Sequence, residues 1–120
     1  SDWDDYTVSS VITFSQQDLA GLAARAKGHR QYYGAVLTGG CAEIYKQKNE
    51  QRTILAKEPF GYRIDETHRL AFTVKGETLK LYIDGENVLC AEDSEYSCGQ
   101  AGFVVDSGAI LGDGFVVERV

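Results

Sequence analysis

The stretch from Arg69 to Gly85 constrains the fold more than any other part of the chain. Apolar and polar residues alternate on both sides of Gly76, with Leu70, Phe72 and Val74 before it and Leu79, Leu81 and Ile83 after it. A period of two sends alternate side chains to opposite faces of a strand, so the pattern predicts two strands with one buried face. Asp84-Gly85 is a two-residue hairpin signal, and a third run, Glu86 to Ala91, follows at once. An antiparallel meander with one apolar face needs a second sheet to cover it.

The rest of the chain offers that sheet. Trp3 to Ser15 reads as a strand with Val8, Ile12 and Phe14 on one face and Thr7, Ser9 and Thr13 on the other; Ser10 interrupts the apolar face. Gln16-Gln17-Asp18 reads as a turn. The alanines of Leu19 to Ala26 would suit a helix, but Gly21 lies inside the segment and Lys27-Gly28-His29 closes it. It is read as a strand, with Leu22 and Ala24 inward and Ala23 and Arg25 outward. Arg30 to Thr38 is a strand containing Tyr32-Tyr33, and Gly39-Gly40 is a hairpin turn. Cys41 to Lys48 follows, with Ala42 and Ile44 on one face and Glu43, Tyr45 and Gln47 on the other. Asn49-Glu50 turns the chain into Arg52 to Lys57. Pro59 to Glu66 reads as a loop with a short extended piece near Tyr62-Arg63-Ile64. After the meander come a polar loop from Asp93 to Cys98, a strand from Gly99 to Asp106, a turn at Ser107-Gly108 and a closing strand from Phe115 to Val120. About ten short strands with turns every eight to twelve residues predict an all-β, two-sheet antiparallel sandwich occupying residues 1–120 as one domain.

Composition narrows the partners. A net charge of −6 argues against nucleic acid, whose phosphates demand a basic face, and against an anionic membrane surface. No apolar run approaches the roughly 20 residues of a membrane span. A neutral ligand or a protein surface fits better. The opening Ser-Asp-Trp-Asp-Asp is not a signal peptide, and a start without Met leads us to expect a domain cut from a larger protein. The three cysteines, Cys41, Cys90 and Cys98, cannot all pair. Three reduced thiols are expected, which leans toward a cytoplasmic setting; Cys90 and Cys98 are near enough in sequence to bridge instead, and a secreted parent chain would favour that. The spacing matches no zinc pattern, and His29 and His68 do not complete one.

Several stretches, in order, resemble the concanavalin A-like lectin/glucanase jelly rolls, in particular the laminin-G-like and glycoside hydrolase family 16-like modules. They are Trp3-Asp4-Asp5-Tyr6-Thr7-Val8, Gly21-Leu22-Ala23-Ala24-Arg25, Tyr32-Tyr33-Gly34, Glu43-Ile44-Tyr45-Lys46, Thr53-Ile54-Leu55-Ala56, Val74-Lys75-Gly76 with Leu79 to Gly85, and Asp93 with Gly99 to Gly102. The resemblance covers essentially the whole chain. It implies a jelly-roll fold and either carbohydrate binding or a role as an accessory domain beside a catalytic one. Such domains are similar to those appended to bacterial glycan-acting proteins and, more loosely, to ADP-ribosylglycohydrolase-like proteins.

The resemblance also implies where to look for a glycosidase, and the residues do not supply one. Retaining enzymes of this type set carboxylates at alternate positions of one strand. Here Asp65-Glu66 and Glu92-Asp93 are adjacent, so within a strand they would face opposite ways. Ser107, Cys41 and His68 make no recognisable triad. No catalytic residue, cofactor or metal is assigned. Asp4, Asp5, Asp106 and Asp113 bracket the chain ends but form no dense alternating loop of calcium ligands, so turn and capping roles are expected.

A sugar site needs rings for the apolar faces of the pyranose or furanose and planar polar groups for its hydroxyls. Alternation places Arg25, Tyr33 or Tyr32, Glu43, Tyr45, Lys80 and Tyr82 on the polar sheet faces, and Arg25, Tyr33, Glu43, Tyr45 and Tyr82 are the expected ligand-binding set. The competing reading is an ordinary exposed sheet face, with Arg25 reaching Glu43 as a plain ion pair. Trp3 is expected to plug the sandwich rather than form a platform. The chain is therefore read as a non-catalytic carbohydrate-binding module, with an accessory domain packed on a catalytic neighbour as the alternative.

Overall fold

The computed structural model describes residues 3–14, 19–63, 65–105 and 110–120, with side chains omitted for 110–113. The expected turns at 16–18 and 107–108, together with Ile64, Asp106 and the Asp113 side chain, lie outside the described residues.

The strands are β1 (Tyr6–Phe14), β2 (Ala20–Ala26), β3 (Gln31–Thr38), β4 (Cys41–Lys48), β5 (Gln51–Pro59), β6 (Thr67–Lys75), β7 (Thr78–Ile83), β8 (Glu86–Glu92), β9 (Gln100–Val105) and β10 (Ile110–Arg119). There is no helix among the described residues. Two five-stranded antiparallel sheets face each other, one in the order β10-β1-β6-β7-β8, the other β5-β4-β3-β2-β9. The meander is β6-β7-β8, and its turn residues Asp84 and Gly85 take the positive φ values of 52° and 88° that a tight hairpin turn requires.

Alternation then sorts the faces. Leu70, Phe72, Val74, Leu79, Leu81 and Ile83 meet Leu22, Ala35, Leu37, Ala42 and Ile44 in one core. Burying an apolar side chain of this size contributes about 1.5–3 kcal/mol. Ser10 does sit among the inward positions of β1, fully buried, opposite Leu70. Residues 60–63 carry no strand, in keeping with the expected loop, and β5 runs on to Pro59, two residues beyond the expected Lys57. β10 begins at Ile110, earlier than expected. Cys41, Cys90 and Cys98 are free thiols, and the Cys98 sulfur accepts from Lys27 Nζ at 3.0 Å.

Candidate functional site

The outer face of the second sheet is organised by small residues. Gly102, Ala23, Gly34 and Tyr45 lie side by side across β9, β2, β3 and β4. Gly34 has no side chain, so the Tyr45 ring folds over it; a Cβ at that position would overlap the ring. Tyr32 stands edge-on to Tyr45, with centroids 5.8 Å apart and hydroxyls 3.0 Å apart. The Arg52 guanidinium lies 4.3 Å from the centre of the Tyr45 ring, and its Nε donates to Gln47 Oε1 at 3.2 Å. Tyr45 is thereby fully buried, while Tyr32 remains half-exposed beside the small-residue floor. Beside this stack, sharing Tyr32 with it, lies a trough of about 330 Å³ lined by Ala23, Gly28, His29, Tyr32, Gln100 and Gly102, among others. That volume is at the small end of ligand clefts, which run from about 300 to 1,000 Å³.

The expected ligand-binding residues divide among three places. Glu43 and Tyr45 share this outer face; Glu43 is nearly buried and pairs with Lys57 at 3.7 Å. Tyr82 is half-buried on the outer face of the other sheet, so it cannot join them. Arg25 and Tyr33 point inward, contrary to their expected facing.

For Arg25 the reason is local. The β2–β9 register shifts between Ala23 and Ala26, and Arg25 takes φ = 51°, a left-handed conformation uncommon for a residue with a side chain. The shift breaks the alternation and turns the guanidinium into the end of the sandwich, leaving it 1% exposed. There Nε donates to the Asp4 carbonyl at 2.8 Å, Nη1 to the Gly76 and Tyr96 carbonyls at 2.7 and 3.1 Å, and Nη2 to Asp5 Oδ1 at 3.1 Å. Its ion-pair partner is thus Asp5, not Glu43. Asp5 Oδ1 also accepts from Gly76 N–H, the turn role expected of it.

Tyr33 is opposite Ala24, an inward position, and is fully buried. Its hydroxyl donates to Asp93 Oδ2 at 2.6 Å and accepts from the Tyr96 N–H at 3.1 Å. Burial, reinforced by the Asp93 carboxylate, pushes the Tyr33 pKa well up. Burial alone would raise Asp93, but bonds from Tyr33, the Glu95 N–H and Lys46 outweigh it and hold its carboxyl below the usual range. Arg25 and Tyr33 therefore fasten the Asp93–Cys98 loop to the ends of the sheets.

Sequence reasoning kept Tyr32 only as the alternative to Tyr33 and did not single out Arg52, His29 or Gln100. A strand-interior glycine is the signal that could have found Tyr32 and Arg52, because Gly34 leaves room for the Tyr45 ring that both of them contact.

No family model matches the chain, and no curated protein matches it in sequence. Its structure is similar to a carbohydrate binding module, CBM66, from Bacillus subtilis, with a TM-score of 0.90 at 23% identity over 99% of this chain and 78% of that one. Galectin LEC-6 from Caenorhabditis elegans matches with a TM-score of 0.72 at 10% identity, over 99% and 90% of the two chains. A GH43 protein from Bacillus licheniformis matches with a TM-score of 0.72 at 14% identity, over 98% of this chain but 28% of that one. The fold is a two-sheet jelly-roll sandwich, the fold these neighbours share.

Proposed function

We propose that this domain is a non-catalytic carbohydrate-binding module, and that its site is the trough on the outer face of the second sheet. The observation that carries the reading is the side-chain-poor lining of Ala23, Gly28 and Gly102 beside the half-exposed Tyr32, whose ring the Tyr45–Arg52 stack braces from behind. A sugar ring can lie on such a floor against the Tyr32 face, with its hydroxyls toward His29, Gln100 and the tyrosine hydroxyl. The likeness to a carbohydrate binding module and a galectin supports the same ligand class. Among the described residues the trough lining contains no carboxylate, so it has neither the acid nor the nucleophile of a glycosidase. Tyr45 acts from behind by holding Tyr32, while Glu43, paired with Lys57, stands outside the trough lining.

The test is a glycan array, followed by calorimetry on any neutral hit with the wild type, Tyr32→Ala and His29→Ala. Losing the ring should weaken binding roughly tenfold or more, and losing the imidazole by a smaller factor, in samples shown folded by circular dichroism. Absence of binding to every neutral glycan, or binding indifferent to both substitutions, refutes the site.

A second reading has its own observation. Phe103 and Phe115 are 43% and 41% exposed with ring centroids 4.9 Å apart, and Val105 beside them is 41% exposed. This apolar edge between β9 and β10 is where a catalytic domain of the same parent chain would pack, whether glycoside hydrolase or ADP-ribosylglycohydrolase-like. The similarity to 28% of a longer GH43 protein agrees with it. The isolated domain should then bind a hydrophobic dye that Phe103→Ser no longer binds; equal dye binding by the two proteins would sink this reading.

A further inference from the structure

The lysines of this acidic chain fall into two groups. Lys46 pairs with Asp93 and Glu95, Lys48 with Glu95, and Lys57 with Glu43, while Lys27 meets the Cys98 sulfur. Among the described residues Lys75 and Lys80 make no hydrogen bond or ion pair. Both line one cleft of about 230 Å³ on the outer face of the first sheet, together with Thr73, Thr78 and Tyr82. The strand register builds this grouping: Thr73 faces Lys80, Lys75 faces Thr78, and Lys80 is flanked on its other side by Cys90. Glu92 stands opposite Thr78, yet neither ammonium has a carboxylate within 4.0 Å among the described residues. Lys80 is moreover only half-exposed. In a chain of net charge −6, two cations that line one cleft with no carboxylate in reach make a local patch that attracts an anion.

We propose that this cleft is a second binding site, on the face opposite the trough, for the anionic group of an acidic saccharide. Lys75 and Lys80 take the carboxylate or sulfate, the Thr78 hydroxyl meets a ring hydroxyl while that of Thr73 is already shared with the Thr7 hydroxyl at 2.7 Å, and Tyr82 supplies the ring surface. The cleft is too small for more than about one sugar unit by comparison with ordinary ligand clefts. The chain's overall negative charge disfavours nucleic acid and anionic membranes, which present many like charges at once, whereas a single anionic unit asks only for a local cationic patch. This site does not depend on the trough.

The experiment is calorimetry on the whole domain with a short oligogalacturonide, its methyl ester and a sulfated galactan oligosaccharide. The acidic probes should bind and the methyl ester should not, and affinity should fall as salt rises from about 0.05 to about 0.5 M. Preference between the two acidic probes separates carboxylate from sulfate as the group taken. The Lys75→Gln/Lys80→Gln double variant should lose roughly tenfold or more in affinity with an unchanged melting temperature and unchanged binding of any neutral glycan at the trough. Equal binding of acid and ester, or an unaffected double variant, overturns the proposal. Binding to phosphatidylserine vesicles but to neither acidic oligosaccharide overturns it as well.

Discussion

At one end of the sandwich, Arg25 and Tyr33 bury their polar ends, and each donor finds an acceptor. On the outer face of the second sheet, Tyr32 and Arg52 keep theirs at the solvent boundary, held by ring contacts and by single bonds to Tyr45 and Gln47. The same residue types serve cohesion in one region and remain available to a ligand in the other. What separates them is the backbone beneath. A register shift and a left-handed Arg25 turn the first side chain in, whereas the side-chain-free Gly34 lets the second group of side chains lie flat. Substitutions can therefore break the two regions independently.

The largest effect belongs to Arg25→Ala. It strips donors from three carbonyls and leaves Asp5 without its cation, which should cost on the order of 3 kcal/mol, read by urea unfolding. If Arg25 instead served a ligand from the surface, stability would hardly change. Gly34→Val comes next. Its Cβ would overlap the Tyr45 ring, so about 1–3 kcal/mol of stability should be lost, and the displaced ring should no longer brace Tyr32, weakening any binding at the trough. Unchanged unfolding would mean that the ring does not rest on the glycine.

The smallest effect provides an internal control remote from both regions. His68 Nε2 lies 2.6 Å from Glu66 Oε1 and Nδ1 lies 2.7 Å from Asp84 Oδ2. Both nitrogens donate only in the imidazolium. Burial alone would lower the His68 pKa, but the bonds to Asp84 and Glu66 outweigh it and raise it above the ordinary 6.5. Because the folded value is the higher one, this stabilisation is complete below about pH 6.5 and is lost as pH climbs through the folded value. Asp84 runs the other way: the His68 bond and the Arg69 N–H hold it below 3.8, so its contribution is lost only in stronger acid. The melting temperature should decline from pH 6 to about pH 9, and His68→Gln should flatten that slope; an unaltered slope would rule the imidazolium out.

Much of the fold was legible because period-two alternation is a property of the strand itself. Leu70, Phe72, Val74, Leu79, Leu81 and Ile83 all face inward as the alternation predicts, and so do Leu22, Ala24, Ala42 and Ile44. The site was less legible, because alternation assigns a face only while the register is regular. Arg25 follows a register shift, and nothing in Ala23-Ala24-Arg25-Ala26 announces it. Tyr32 and Tyr33 are adjacent and chemically identical, so their facing depends on pairing with Ala24 across the sheet, a long-range fact. Nor does a strand reveal which sheet it joins, which is why Tyr82 was grouped with Tyr45 although the two lie on opposite outer faces.

The Arg25 cluster also sets a clock. Its guanidinium joins segments 20, 51 and 71 residues away, its backbone N–H donates to the Tyr6 hydroxyl, and that hydroxyl reaches the Gly99 carbonyl 93 residues on. Closing such long loops is entropically costly, so these bonds are expected to form late, once both sheets have assembled. Interactions absent from the folding transition state act on the rate of unfolding. Arg25→Ala should therefore shorten the lifetime of the native domain, read as a faster unfolding rate in stopped-flow denaturant jumps, while leaving the folding rate nearly unchanged.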